Sequence, residues 1–165
     1  MAENVSSLEE RLAQLRPRLI VAFAVRCARR VQPRLIMNFD HWGNDELRAI
    51  ISQVDSGLSN LEIWCNYGHQ LSSISKEASS LFDSAARLKT ATEKADADRV
   101  AHTIATITAV ARTAAAVVTD VAAAAAAVAA AAPESTNAAD RDINVLEKTL
   151  SLWASPRSMG AGLRI

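Results

Sequence analysis

The chain has 165 residues, enough for one domain with a real core and too few for two comfortable ones. Hydrophobic residues make up 50 %, but much of that share is alanine and only 4 % is aromatic, so bulky core side chains are scarce. Lys+Arg and Asp+Glu are both 18, which excludes a global field drawing the chain to nucleic acid or to a membrane surface.

Five glycines and four prolines leave few breakers, so long regular elements are expected. Ser7-Leu8-Glu9-Glu10 reads as a capping box, in which the Ser7 hydroxyl accepts the Glu10 amide and Glu10 reaches back to the Ser7 amide. It predicts a short N-terminal helix inside residues 1–16, ending near Leu15. Pro17 suits the first turn of the next helix, where a missing N–H costs nothing. That helix is expected from Arg18 to about Asn38, with Leu19, Phe23, Ala24, Cys27, Ala28 and Val31 repeating at three and four. Pro33 is expected to kink or break it near Arg29 to Gln32. Phe39-Asp40-His41-Trp42-Gly43 is the turn, and Asn44 caps a helix whose first residues, Asp45 and Glu46, favour its positive end.

Leu47, Ile50, Ile51, Val54, Leu58 and Leu61 form the cleanest amphipathic face in the sequence, with Gly57 weakening that helix near its end. A further helix is expected to carry Ile63, Trp64, Leu71, Ile74, Ala78, Leu81, Phe82, Ala85 and Leu88, with Gly68 marking its start or a bend. The pattern turns polar over Thr90 to Asp96. Asp96 or Asp98 then caps the longest element, Ala97 to about Ala131, whose early apolar face is Val100, Ile104, Ile107, Ala111, Ala114 and Val118. Pro133-Glu134-Ser135-Thr136-Asn137 breaks the chain before a last helix with Ile143, Leu146, Leu150 and Trp153 inward. Ser155-Pro156 ends that helix and residues 155–165 form a loose tail. No run alternates long enough to be a strand. The fold expected is all-α, a single domain over 1–165 built as an up-and-down bundle of five to six helices.

Ala114 to Ala132 is about as long as a bilayer crossing. Thr119 and Asp120 interrupt it, Arg112 precedes it, and alanine is a better helix former than a hydrophobe, so a buried or half-buried helix is expected and no membrane span. The start is charged and helical in pattern rather than a secretory leader, so a cytoplasmic location with reduced thiols at Cys27 and Cys65 follows.

The chemistry-bearing residues fail to assemble into a recognised site. Cys65 and His69 share a helix face, but two ligands are fewer than a zinc site needs from the protein, so no metal is expected. The serines between Ser72 and Ser84 lie outside any nucleophile elbow and read as helix surface. Glu-x-x-His pairs and phosphate-cradling glycine loops are missing from the sequence, so no cofactor and no enzyme activity are expected.

Arginine is distributed less evenly. Arg16, Arg18, Arg26, Arg29, Arg30 and Arg34 lie within nineteen residues that contain no acid. At about 100° per residue they occupy a little under half of the helix circumference. One reading is a solvated face answered by acids of neighbouring helices, such as Glu9, Glu10, Asp45 or Glu46. The other is a docking face formed by Arg26, Arg29, Arg30 and Arg34; Trp42 either plugs the end of the core or, if exposed, anchors that face. Without interleaved aromatics or net positive charge, an acidic protein fits that face better than RNA or DNA. The Ala122 to Ala127 run offers no side chain larger than a methyl group, which suits either a closely packed helix or a flat surface for a second copy of the chain.

Leu19-Ile-Val-Ala-Phe-Ala-Val-Arg-Cys27-Ala-Arg-Arg-Val-Gln-Pro33 resembles the opening of a family of small bacterial all-helical proteins of unknown function. Phe39, Gly43-Asn44-Asp45, the helix led by Leu47, Arg48 and Ile50, and Asp140 to Glu147 fit the same pattern. The chain is also similar to a related helical family of predicted immunity proteins against secreted bacterial toxins. The resemblance implies a protein that blocks an effector through its helical surface, and it carries no catalytic residues. The function expected is therefore non-catalytic protein binding. Its rivals are a self-assembling structural protein and a small enzyme with a pocket inside the bundle.

Overall fold

The computed structural model describes residues 2–37, 45–67, 71–93, 100–131 and 136–154, and among these the side chains of all but 2–7, 36–37, 71–73, 136–138 and 149–154. The described residues form seven helices and no strand: α1 (Ala2–Ala13), α2 (Pro17–Met37), α3 (Asp45–Tyr67), α4 (Leu71–Glu93), α5 (Ala101–Ala116), α6 (Val121–Ala131) and α7 (Thr136–Ala154). The all-α expectation holds. The helix number exceeds the five to six expected. Contacts divide the chain into two compact units, Met1–Ala132 and Pro133–Ile165.

Within the first unit, α2, α3, α4 and α5 form a closed ring in which each packs on its two ring neighbours, and α5 packs on α6 as well. Cross-links fix the directions. Gln32, later on α2 than Arg29, bonds Asp55, which is earlier on α3 than Arg29's partner Glu62. Likewise Asn60 of α3 meets Glu77 of α4 at 3.0 Å, while the earlier Gln53 meets the later Arg87 at 3.1 Å. Consecutive helices α2, α3 and α4 therefore run antiparallel, as in an up-and-down bundle. The ring closes over Ile20, Phe23, Leu58, Leu61, Leu81 and Ile107, each no more than 1 % exposed. Burying one such side chain stabilises by about 1.5–3 kcal/mol. Outside the ring, α6 packs against α5 and α2 and carries α1 on its flank.

Several boundaries differ from expectation. The helix α1 begins at Ala2, so Ser7 lies in its interior and the capping box does not mark a start. Pro17 does open α2, but α2 runs unbroken through Pro33, whose ring is exposed, so the expected break is absent. Ile63 and Trp64 belong to α3, which continues to Tyr67. Gly57 therefore sits mid-helix and not near an end. Phe82 is 44 % exposed although its neighbour Leu81 is in the core, because the two point 100° apart on the helix. The turn with His41 and Trp42, the caps at Asn44, Asp96 and Asp98, and the 155–165 tail lie outside the described residues, as do the side chains of Leu150 and Trp153.

The single helix expected over 97–131 is instead two, α5 and α6, joined by a corner at Val117–Asp120. Three donors converge on the Ala116 carbonyl: the Thr119 amide at 2.9 Å, the Asp120 amide at 2.7 Å and the Thr119 hydroxyl at 3.2 Å. Asp120 Oδ1 then accepts the amides of Ala122 at 3.0 Å and Ala123 at 3.1 Å. Asp120 is thus the N-cap of α6, satisfying amides that a helix start leaves unpaired. Val118, expected on the apolar face of one long helix, is 40 % exposed at this corner. No helix among the described residues is long and apolar enough to cross a membrane.

Close approach replaces bulk where α3 meets α4. Gly57 is buried, and a Cβ added there would stand 3.2 Å from Leu81 Cδ1. Gly57→Val should lower unfolding free energy in urea by about 1–3 kcal/mol through overpacking; a neutral or stabilising result would show that Leu81 has room to yield. Asp120→Ala should lose about 1 kcal/mol of stability in the same measurement, and Asp120→Asn should retain most of it, because asparagine caps nearly as well.

Candidate functional site

The arginines of α2 divide into two sets. Arg29 turns toward α3, and its side chain is 28 % exposed. Its Nε donates to Glu62 Oε1 at 3.0 Å and its Nη2 to Glu62 Oε2 at 3.2 Å, a two-point grip on one carboxylate. Nη2 also donates to Ser59 Oγ at 2.8 Å, and Nη1 donates to Gln32 Oε1 at 2.7 Å and to Asp55 Oδ1. Gln32 is nearly buried and closes the cluster by donating from Nε2 to the same Asp55 oxygen at 2.9 Å. Bidentate pairing of this kind adds geometric specificity to charge.

The electrostatics follow the geometry. The hydrogen bond to Glu62 raises the Arg29 pKa against the opposing effect of burial, and Asp55 adds to the rise. The Asp55 carboxyl is held below the usual aspartate range, chiefly by the Gln32 amide and then by the Arg29 guanidinium. Of the two readings of the arginine cluster, Arg29 fits the one in which neighbouring acids answer it. The acids that answer Arg29 are Asp55 and Glu62 of α3.

Arg26, Arg30 and Arg34 are exposed. They follow one another at i, i+4 and i+8 and so fall within about 80° of the helix circumference. Arg16, just before α2, and Arg18 in its first turn are exposed as well. Of the five residues singled out for partner contact, the structure thus sets three on one outward face, holds Arg29 within the chain, and leaves Trp42 outside the described residues.

Other candidate chemistry is dispersed. Burial pushes the Cys65 thiol up to about 12, although Arg18 opposes the rise, so the sulfur stays protonated at neutral pH. Cys27 is buried. The side chain of His102 is exposed on α5, and His41 and His69 lie outside the described residues. Among the described residues no group of three His, Cys, Asp or Glu stands close enough to hold a metal ion. Of the serine cluster expected at the surface, Ser75, Ser79 and Ser80 are exposed, Ser84 is buried, and the side chains of Ser72 and Ser73 lie outside the described residues; Ser79, Ser80 and Ser84 line an open trough of about 570 Å³ between α3 and α4, with Gln53, Lys76, Asp83 and Arg87. Ser84 spends its hydroxyl on the Ser80 carbonyl at 2.9 Å.

The Arg29 cluster has a calculable pH signature. A carboxyl with a lowered folded-state pKa contributes stability that is present above its unfolded value and is lost as pH falls through its folded value. The stability advantage of the wild type over Asp55→Asn should therefore be constant near neutral pH and shrink on acidification below the ordinary aspartate range. Urea titrations at several pH values read this directly, and an advantage that grew toward acid would contradict the arrangement. No family model, curated protein or solved structure matches the chain.

Proposed function

We propose that the protein is a non-catalytic binding protein that captures an acidic protein partner along the exposed face of α2. The single observation that carries this reading is the alignment of Arg26, Arg30 and Arg34 on the outside of α2, while Arg29 is turned inward to Asp55 and Glu62. Exposed arginines can form forked hydrogen bonds to carboxylates, and their positive potential speeds encounter with an acidic surface. The chain's zero net charge favours a partner recognised by local complementarity over one drawn by a global field. An immunity-type role, in which the partner is a toxin-like effector blocked by capture, is the form of this function that the sequence resemblance suggests.

The test is capture with two baits, the wild type and Arg26→Glu/Arg30→Glu, from extracts of the native host. An acidic protein retained by the wild type and lost with the variant, at unchanged helical circular dichroism, is the expected result. Equal retention by both baits would remove the arginine face from the function.

A further inference from the structure

Pro33 lies inside α2 and the helix continues past it to Met37. Proline has no N–H to give to the carbonyl four residues back, and its ring crowds that carbonyl. The residue four back is Arg29. The turn that bears the crowding and the missing hydrogen bond is thus a turn whose side chains are tied to a neighbouring helix. Arg29 reaches Asp55, Ser59 and Glu62, and Gln32 reaches Asp55.

Sharp helix kinks arise at proline, where the ladder of hydrogen bonds is interrupted. In this chain the interruption falls on a turn that cannot swing away from α3 without giving up its bonds to three side chains there. We propose that α2 carries a latched hinge: Pro33 is the hinge, and the grip of Arg29 and Gln32 on α3 is the latch that keeps the helix continuous across it. Arg26 and Arg30 precede the hinge and Arg34 follows it, so the latch also sets whether the three lie on one line. That last consequence rests on the reading of α2 as a docking face. The hinge itself does not.

The test is residue-resolved amide hydrogen exchange on the full chain, compared among the wild type, Arg29→Gln and Arg29→Gln/Pro33→Ala. Loss of the latch should speed exchange at Arg34, Leu35, Ile36 and Met37 by about tenfold or more while the amides of α4 and α5 keep their wild-type rates, the mark of a local opening. Pro33→Ala in the same background restores the N–H and removes the ring, and should return those four amides to near wild-type protection. Acceleration spread evenly over all helices would overturn the proposal, since the cluster would then be a general stabiliser. So would failure of Pro33→Ala to restore protection. If Arg29→Gln does not fold, Asp55→Asn, which leaves the Glu62 pair in place, gives the same comparison with a smaller effect confined to the same four amides. The readout is independent of partner capture, so an unchanged partner interaction with altered exchange, or the reverse, separates the hinge from the docking face.

Discussion

The helix α5 has to accept neighbours on three sides. It packs against α4, α2 and α6, and nine of its sixteen residues are buried. A helix in that position cannot carry large side chains all round, because the distance between packed helices, about 8–10 Å, depends on the size of the side chains at the contact. The sequence meets the constraint with alanine and threonine at Thr103, Thr106, Ala109, Ala111, Thr113 and Ala114, and keeps Ile104, Ile107 and Val110 for the core. Burying a hydroxyl without a partner is costly. Thr106 and Thr113 avoid the cost by donating to the carbonyls of His102 and Ala109 at 2.9 and 2.8 Å, bonds that stay inside the helix and ask nothing of the neighbours. The ring of α2 to α5 and the outer layer of α6 both depend on this one slim helix.

The polar cross-links sit on the other side of the ring. Between α2 and α3 the bonds are charged and numerous, and between α3 and α4 they are isolated pairs at exposed positions. Isolated exposed pairs contribute little to stability. The Arg29 cluster differs because its guanidinium is half-buried and its donors meet carboxylates, a hydroxyl and an amide together. Such a cluster fixes the register of one helix on another, which nonpolar side chains specify only loosely.

Much of this was legible in the sequence where periodicity and side-chain size coincide. Of Leu47, Ile50, Ile51, Val54, Leu58 and Leu61, predicted to face inward, all are buried except Ile51, which is half-buried. The α6 segment reads as half-buried, and it buries Ala124, Ala125, Val128 and Ala129 while exposing Ala122, Ala123 and Ala130. Where periodicity is uniform, punctuation is hidden. Valine and alanine on both sides of Thr119 and Asp120 conceal a helix end that depends on one aspartate capping one turn. Glycine misleads in the opposite sense: at Gly57 it signals a breaker, yet the residue serves contact with Leu81. The arginine cluster was visible, but its partners were not, because Asp55 and Glu62 are brought to Arg29 by the antiparallel register of α3, which no local pattern encodes.

The make-up of α6 has a consequence for how that helix is positioned along its own axis. Its residues are alanine except for Val121 and Val128. A screw displacement by one residue would exchange methyl groups for methyl groups over most of its surface, and dispersion between such surfaces is nearly indifferent to the shift. What breaks the degeneracy is the corner before it. The donors gathered on Ala116 and the cap at Asp120 fix where the first turn starts, and every later alanine inherits its position from there. The alanine helix is therefore placed chiefly from one end, as a ruler is placed by its zero, and beyond that end the buried Val128 is the one larger side chain that marks a position on its inner face.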